Sequence, residues 1–371
     1  MSFLTALVGD LTKIRTGKLD ANAAASDGKY PFFTCAQEPL RIDRYAYDCD
    51  AILVAGNGDL NVKHYKGKFE AYQRTCIIEV RNHSKLDSRY LYYFMSKYVE
   101  KLRQLAIGVV IKYIKLGMLT DAEIPLPPLA EQKCIAAILD KADAIRRKRQ
   151  QAIKLADDFL RATFLDMFGD SVTNPKGWQI RPLSEIVKKG RIVTYGIVQA
   201  GPPLPEGVPY IRTGDIQDGK INTSGLLKTS YEIASKYKRS EVNKGDIVMS
   251  IRATVGTVAP LPDELDGANL TQGTARITPG SSTNREFLLW ALKTRGIQNW
   301  IEKQVKGATF REITLAKLRE LPVIVPPLES QEKFQSIVFQ TQKLDAEINK
   351  AYNSCNEFFN SLTQRAFRGD L

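Results

Sequence analysis

The chain has 371 residues, 43% of them hydrophobic and 25% charged, and a formal charge of +12. That is enough for two domains with cores of their own. It holds no apolar run long enough for a membrane helix, and Met1–Asp10 lacks the basic start and apolar stretch of a secretory signal. Five widely spaced cysteines (Cys35, Cys49, Cys76, Cys134, Cys355) offer no metal-ligand spacing and suit a reducing, cytoplasmic setting. The positive charge is local. Residues 1–126 carry 18 basic against 14 acidic side chains, 127–170 carry 8 against 7, 171–325 carry 22 against 14, and 326–371 carry 5 against 6. An excess confined to two segments favours a polyanion such as nucleic acid.

In chain order, Tyr30–Phe33, Asp50–Val54 and Thr75–Val80 read as strands, and Tyr90–Met95 as helix. Ile124-Pro125-Leu126-Pro127-Pro128-Leu129-Ala130-Glu131-Gln132 then opens a long helical pattern that closes on Phe168-Gly169-Asp170. The same programme repeats. Strands are expected at Val208–Arg212, Gly245–Ile251, Thr254–Val258 and Gly273–Ile277, and a helix at Phe287–Leu292. Val323-Ile324-Val325-Pro326-Pro327-Leu328-Glu329-Ser330-Gln331 opens a second long pattern ending at Phe367-Arg368-Gly369-Asp370. The offset is 199 residues, and it also pairs Gln73 with Gln272, Thr75 with Thr274, Gly108 with Gly307, Ile114 with Ile313 and Leu119 with Leu318. A period this long means two copies of a globular module plus a helix, not a solenoid.

Each helical pattern spans about 38 residues, roughly 57 Å at 1.5 Å per residue. Apolar positions alternate by three and four, through Ile135, Ile138, Ala142, Ile145 and Phe159 in the first and Phe334, Ile337, Leu344, Ile348 and Phe358 in the second. Arg149 and Thr341 interrupt these rows and would set register. Matching rows predict that the helices pack on each other. The expected fold is α+β: mixed α/β modules at 1–126 and 171–325, and helical spacers at 127–170 and 326–371 forming an antiparallel two-helix coiled coil with pseudo-two-fold character. A stiff spacer between basic modules suits a split DNA site, and a four-residue insertion in one helix should lengthen the preferred DNA spacer.

No catalytic constellation is legible. His64 and His83 lack counterparts in the second half and read as surface residues, and no Cys-x-x-Cys or His-Glu-x-x-His occurs. Gly214–Lys220 resembles the start of a phosphate loop, but Ile221 stands where Ser or Thr would hold magnesium, so it reads as a turn. Asn57 and Gly58 follow a strand without the full glycine pattern of a dinucleotide site, and no Asn/Asp-Pro-Pro-aromatic loop of an amino-methyltransferase occurs. The loops do carry side chains suited to DNA: Gln37, Asn57, Asn61, Lys63, Arg74, Lys112 and Tyr113 in the first module, and Arg212, Thr213, Arg252, Thr254, Gln272, Lys306, Thr309 and Arg311 in the second. Arginine can bind guanine bidentately and glutamine adenine, while lysine, threonine and backbone N–H groups suit phosphates.

The ordered double set of Pro-Pro-Leu-x-x-Gln, the Gly-x5-Ile-x4-Leu pattern before each copy, the Gly245–Val248 strand and the terminal Phe-x-Gly-Asp resembles the DNA specificity subunits of type I restriction-modification systems, over the whole chain. The resemblance implies two target-recognition domains on a bipartite double-stranded site and no catalysis or cofactor in this chain. It also implies docking of two modification (methyltransferase) subunits that use S-adenosylmethionine, and of restriction subunits that use ATP and magnesium, in a prokaryotic cytoplasm. Ser330 departs from the pattern where a glutamate is usual. The rival readings are a protein scaffold with incidental charge, the specificity module of a related adenine methyltransferase system, and a self-sufficient methyltransferase.

Overall fold

In a computed structural model, residues 3–108, 111–307 and 311–370 are described. The chain divides into two compact units, Met1–Gln151 with Asn349–Leu371, and Ala152–Ile348. Both long helices form, Leu129–Phe168 and Leu328–Ala366, and each contributes one part to each unit.

The first unit is built on a six-stranded sheet in the order Thr12–Thr16, Thr75–Val80, Tyr47–Ala55, Val62–Ala71, Tyr30–Phe33, Leu40–Ile42. All pairs are antiparallel except Tyr30–Phe33 with Val62–Ala71, which is parallel. Its helix, Ser88–Leu105, starts where Asp87 accepts hydrogen bonds from the Arg89 and Tyr90 amides. Leu91, Met95, Val99 and Leu102 are buried in one core with Ile52, Val54 and Ile78 of the sheet. A strand pair, Thr5–Leu7 with Glu123–Pro125, brings the two ends of the module together.

The second unit repeats this plan with interruptions. A four-stranded sheet (Thr194–Tyr195, Thr274–Ile277, Ile247–Ser250, Val258–Pro260) stands beside a three-stranded one (Lys228–Thr229, Val208–Ile211, Asn269–Leu270). The long strand Val62–Ala71 thus corresponds to two short ones, Val258–Pro260 and Asn269–Leu270. Pro260 and Pro262 cannot donate to a ladder, and a 3-10 turn at Asp263–Leu265 fills the gap. The strand expected at Thr254–Val258 is instead a turn closed at Gly256, whose φ is +90°, and extended structure begins only at Val258. Ile180–Pro182 pairs with Pro322–Ile324 as the terminal strands do in the first unit. Gly214–Lys220 makes a small hairpin, Ile216–Gln217 on Lys220–Ile221, in agreement with the turn read from sequence.

The duplicated Pro-Pro-Leu-x-x-Gln segment does the same work twice. Gln132 is fully buried, accepts from the Asp87 amide (2.9 Å) and donates to the carbonyls of Lys85 (2.9 Å) and Pro127 (2.9 Å). Gln331, equally buried, accepts from the Asn284 amide (2.9 Å) and donates to Ser282 (3.0 Å) and Pro326 (2.8 Å). Asp87 and Asn284 are the N-caps of the module helices, so one amide side chain ties each cap to the start of a long helix.

Within each unit the long helices pair antiparallel. In the first, the Arg146 guanidinium lies 4.9 Å from the Phe359 ring centre, and further along Arg149 donates to the carbonyl of Ala351. In the second, Phe164 and Phe168 near the end of one helix meet Phe334 near the start of the other, with ring centres 5.3 and 5.7 Å apart. The buried row differs from the expected seam. Ile135 and Phe334 are buried and Ile337 and Ile348 partly so, but Ile138, Ile145, Phe159, Leu344 and Phe358 are 38–59% exposed. The buried apolar positions include Ile135, Leu139, Ala142, Leu160, Phe164, Phe334, Val338 and Leu362. Several lie one residue on from the expected ones, a rotation of about 100° on a 3.6-residue helix. The rotation arises because each helix end must also cover a module, as Leu139 does in sharing a core with Tyr93 and as Phe164 does against Phe287.

His64, expected at the surface, is part of a polar network in the first unit. It lies 2.6 Å from Asp50 and 3.0 Å from Arg89, which also bonds Tyr93 (3.1 Å) and pairs with Asp140 on the long helix. Burial works to raise the Asp140 pKa, but hydrogen bonds from Arg89 and Tyr93 outweigh it and hold the carboxyl below the usual carboxylate range.

Replacing Gln132 or Gln331 by Leu strands one buried amide and two carbonyls, and should cost about 3 kcal/mol in chemical denaturation. Glu131→Ala, one position earlier, should stay within about 0.5 kcal/mol. Phe334→Ala should cost about 3–5 kcal/mol, whereas Phe358→Ala, at an expected seam position that is exposed, should cost about 0.5 kcal/mol or less. Equal losses for the two phenylalanines would restore the original seam.

Candidate nucleic-acid interface

Each unit gathers its polar loops at one rim of the sheet. Three backbone contacts organise the first rim. The amide of Gly56 donates to Arg74 (2.7 Å), that of Gly58 to Lys112 (3.0 Å), and that of Tyr72 to Phe33 (2.9 Å). The second rim has the same contacts: Ile251 to Gly273 (2.8 Å), Ala253 to Arg311 (3.0 Å) and Thr271 to Ile211 (3.2 Å). Each rim therefore joins a strand end, a tight turn and a longer loop. The longer loop closes through paired backbone bonds, Ile107 with Tyr113 and Lys306 with Glu312. Gly108 and Gly307 turn it with φ of +113° and +83°. A Cβ at Gly108 would stand 2.4 Å from the Ile111 carbonyl oxygen, which explains the repeated glycine. Leu119 and Leu318, from the same motif, are fully buried anchors.

The repeated Thr75 and Thr274 are buried, and their hydroxyls donate to the Phe33 (3.0 Å) and Ile211 (3.1 Å) carbonyls. They hold the rim and do not face a ligand. Gln73 and Gln272 anchor the turn through their amides, to the carbonyls of Leu19 and Ile197, while no bond of their side chains is found among the described residues.

The sequence candidates separate into engaged and open groups. In the first unit Asn61 is buried and donates to the carbonyls of Cys35 and Asp59 (both 2.9 Å). Lys63 donates to Ala36 (2.6 Å) and to Asn61, and burial lowers its pKa from the ordinary lysine value. Both shape the 35–37 loop and are not free to reach a base edge from there. Gln37 is exposed and bonded to Asp59 (2.6 Å). Asn57 is half-buried, while Arg74, Lys112 and Tyr113 are exposed, and no hydrogen bond or ion pair of these four side chains is found among the described residues.

In the second unit Arg212 is held by Asp215 through Nε (3.0 Å) and Nη2 (2.8 Å). Arg311 pairs with Glu302, and Arg252 through Nε with Glu312 (3.0 Å). Thr254 bonds Ser250 (3.1 Å), Thr213 lies beside Gly273, and Lys306 is exposed. Thr309 lies outside the described residues. Residue type alone could not separate these groups, because an arginine held by an acid and an open one read alike in sequence. Sequence reasoning also passed over Glu312, which holds Arg252; its only signal was its 199-residue correspondence with Tyr113.

Among the described residues, no nucleophile is hydrogen-bonded to a base in either rim, and no three His, Cys, Asp or Glu side chains are grouped as a metal site. No helix among them is long and apolar enough to cross a membrane.

Comparison with known proteins agrees with this geometry. The family model for the type I restriction modification DNA specificity domain matches twice, over residues 5–155 and 175–355. The chain is 28% identical to the type I restriction enzyme EcoDI specificity subunit of Escherichia coli, over 99% of this chain and 88% of that protein. It is 27% identical to the EcoBI specificity subunit of the same species, over 86% of this chain and 73% of that one. A crystal structure of the type I restriction-modification S subunit from M. genitalium shares the fold, with a TM-score of 0.58 at 19% identity, covering 98% of this chain and 96% of that one. Each rim lies within one of the two matched segments, and the chain belongs to the type I restriction-modification DNA specificity family: it is a non-catalytic specificity subunit.

Proposed function

We propose that the two rims read the two halves of one bipartite double-stranded DNA site, and that the long helices dock two copies of a modification subunit. The observation that carries the first part is the duplicated rim, in which the same backbone scaffold presents different polar side chains. A pair of readers that share a frame and differ at its edge suits a site with two unlike halves. Phosphate contacts from open cations such as Arg74, Lys112 and Lys306 would supply affinity, and base contacts would supply choice.

The second part rests on the exposed apolar residues of the long helices. Ile145 and Leu344, 199 residues apart, are 49% and 55% exposed; Phe159 and Phe358, at the same offset, are 53% and 59% exposed. One member of each pair falls in each unit, Ile145 with Phe358 in the first and Phe159 with Leu344 in the second. Two matching apolar faces suit two copies of one partner. In this reading S-adenosylmethionine, ATP and magnesium are held by the modification and restriction subunits, and the complex works where prokaryotic DNA lies, in the cytoplasm.

The DNA reading is tested by filter binding of the assembled complex. Raising salt from 50 to 200 mM should weaken binding by roughly 10³–10⁵ if six to ten phosphates are neutralised, and a salt-insensitive complex would count against it. For docking, Ile145→Asp with Phe358→Asp should lower the number of modification subunits per chain from two to one by native mass measurement, leaving the fold intact. Retention of both subunits would remove these faces from the interface.

A further inference from the structure

The 199-residue repeat pairs Asn57 with Gly256, but the folded rims do not. Asn57 bridges Tyr113, and Arg252 bridges Glu312. The residue before each, Gly56 or Ile251, accepts from Ile114 (2.9 Å) or Ile313 (3.0 Å). The residue after each, Gly58 or Ala253, donates to the loop at Lys112 or Arg311 (both 3.0 Å). Those following residues also share a left-handed backbone, with φ of +67° at Gly58 and +56° at Ala253. A Cβ-bearing residue rarely adopts that conformation, so its presence at Ala253 marks a turn that the rim requires. Asn57 and Arg252 therefore occupy one structural position in two modules, at an offset of 195 residues.

We infer that this position selects one base in each half-site, with Asn57 reading adenine and Arg252 reading guanine. The inference rests on the reading of the rims as DNA interfaces. Among the three arginines of the second rim, Arg212 has Nε and Nη2 engaged by Asp215, and Arg311 has Nη2 engaged by Glu302. Arg252 forms an ion pair with Glu312, with Nε 3.0 Å from Oε2, and among the described residues no hydrogen bond is found for its terminal nitrogens. That is the arrangement a bidentate contact to guanine O6 and N7 needs: the fork is oriented from behind and open at its tip. Glu312 is thus a positioning residue. No hydrogen bond of the Asn57 carboxamide is found among the described residues, which leaves both its donor and its acceptor for adenine N7 and N6. Tyr113 stands where Glu312 does, so the first module has no acid to orient an arginine there.

The test uses this chain assembled with its modification partner, which selects bound duplexes from a pool randomised in both half-sites. The unaltered complex should favour adenine at one position of one half-site and guanine at one position of the other. Asn57→Asp keeps the shape but loses the amide donor, and should replace the adenine preference with cytosine. Arg252→Lys keeps the charge but loses the fork, and should lower the guanine preference roughly 5- to 150-fold with the salt dependence unchanged. Glu312→Gln should weaken the guanine preference at that position alone, and less than Arg252→Lys does. Asn57→Ala and Arg252→Ala should each flatten one position. If a variant binds poorly overall, the ratio among the bases is still read from the recovered duplexes. A uniform loss at every base, or unchanged preferences, would overturn the inference while leaving DNA reading intact. Failure of the unaltered complex to select any split site would instead overturn the DNA reading itself.

Discussion

A single buried amide side chain, used twice, is the constraint on which the architecture depends. Gln132 and Gln331 each satisfy one backbone donor and two carbonyls at the junction where a module helix begins and a long helix departs. A junction of this kind exposes orphan groups from two helix starts and a proline-rich turn that cannot donate. An amide, with both donors and acceptors in one plane, can satisfy them together, where an apolar residue would leave them unpaired in a dry site. The lock also explains why Ser330 can replace the glutamate of the other copy: Glu131 and Ser330 are only partly buried, while the glutamine after each is sealed in.

With the frame locked, the rim can vary. Thr75 and Thr274, and Gly108 and Gly307, which shape the loops, recur at matching positions. The groups presented to solvent change: Tyr113 against Glu312, Arg74 against Gly273, Asn57 against Arg252. Several of the polar residues read from sequence as candidate contacts are bonded within the rim, among them Asn61, Lys63 and Arg212. A buried or ion-paired group lowers the cost of holding a loop in one conformation, which is what a reader needs before it meets its target.

The exposed apolar residues of the long helices follow from the same division of labour. A helix that covers its module with one face and its partner helix with the next has apolar positions left over. Ile145, Phe159, Leu344 and Phe358 are those positions, and they recur at the repeat offset. Retaining a large apolar side chain in water in both copies is costly for solubility, which is why these faces carry the docking proposal.

The duplication, the two long helices and several of the strands, among them Tyr30–Phe33 and Thr75–Val80, were legible in the sequence, whereas the long strand Val62–Ala71 was not. The legible features depend on periodicity, spacing and residue type, which a linear chain carries directly. The tertiary structure alone decided which face of the long helices is buried, because a one-residue shift along a helix turns the face by about 100° and two neighbours compete for it. It alone separated Asn61 and Lys63 from Asn57, and Arg212 from Arg252, since an acid three residues away and one sixty residues away are equally silent until loops meet. It also placed Asn57 and Arg252 at the same position despite an offset that breaks the repeat, because loop lengths drift while the backbone contacts that hold a rim do not.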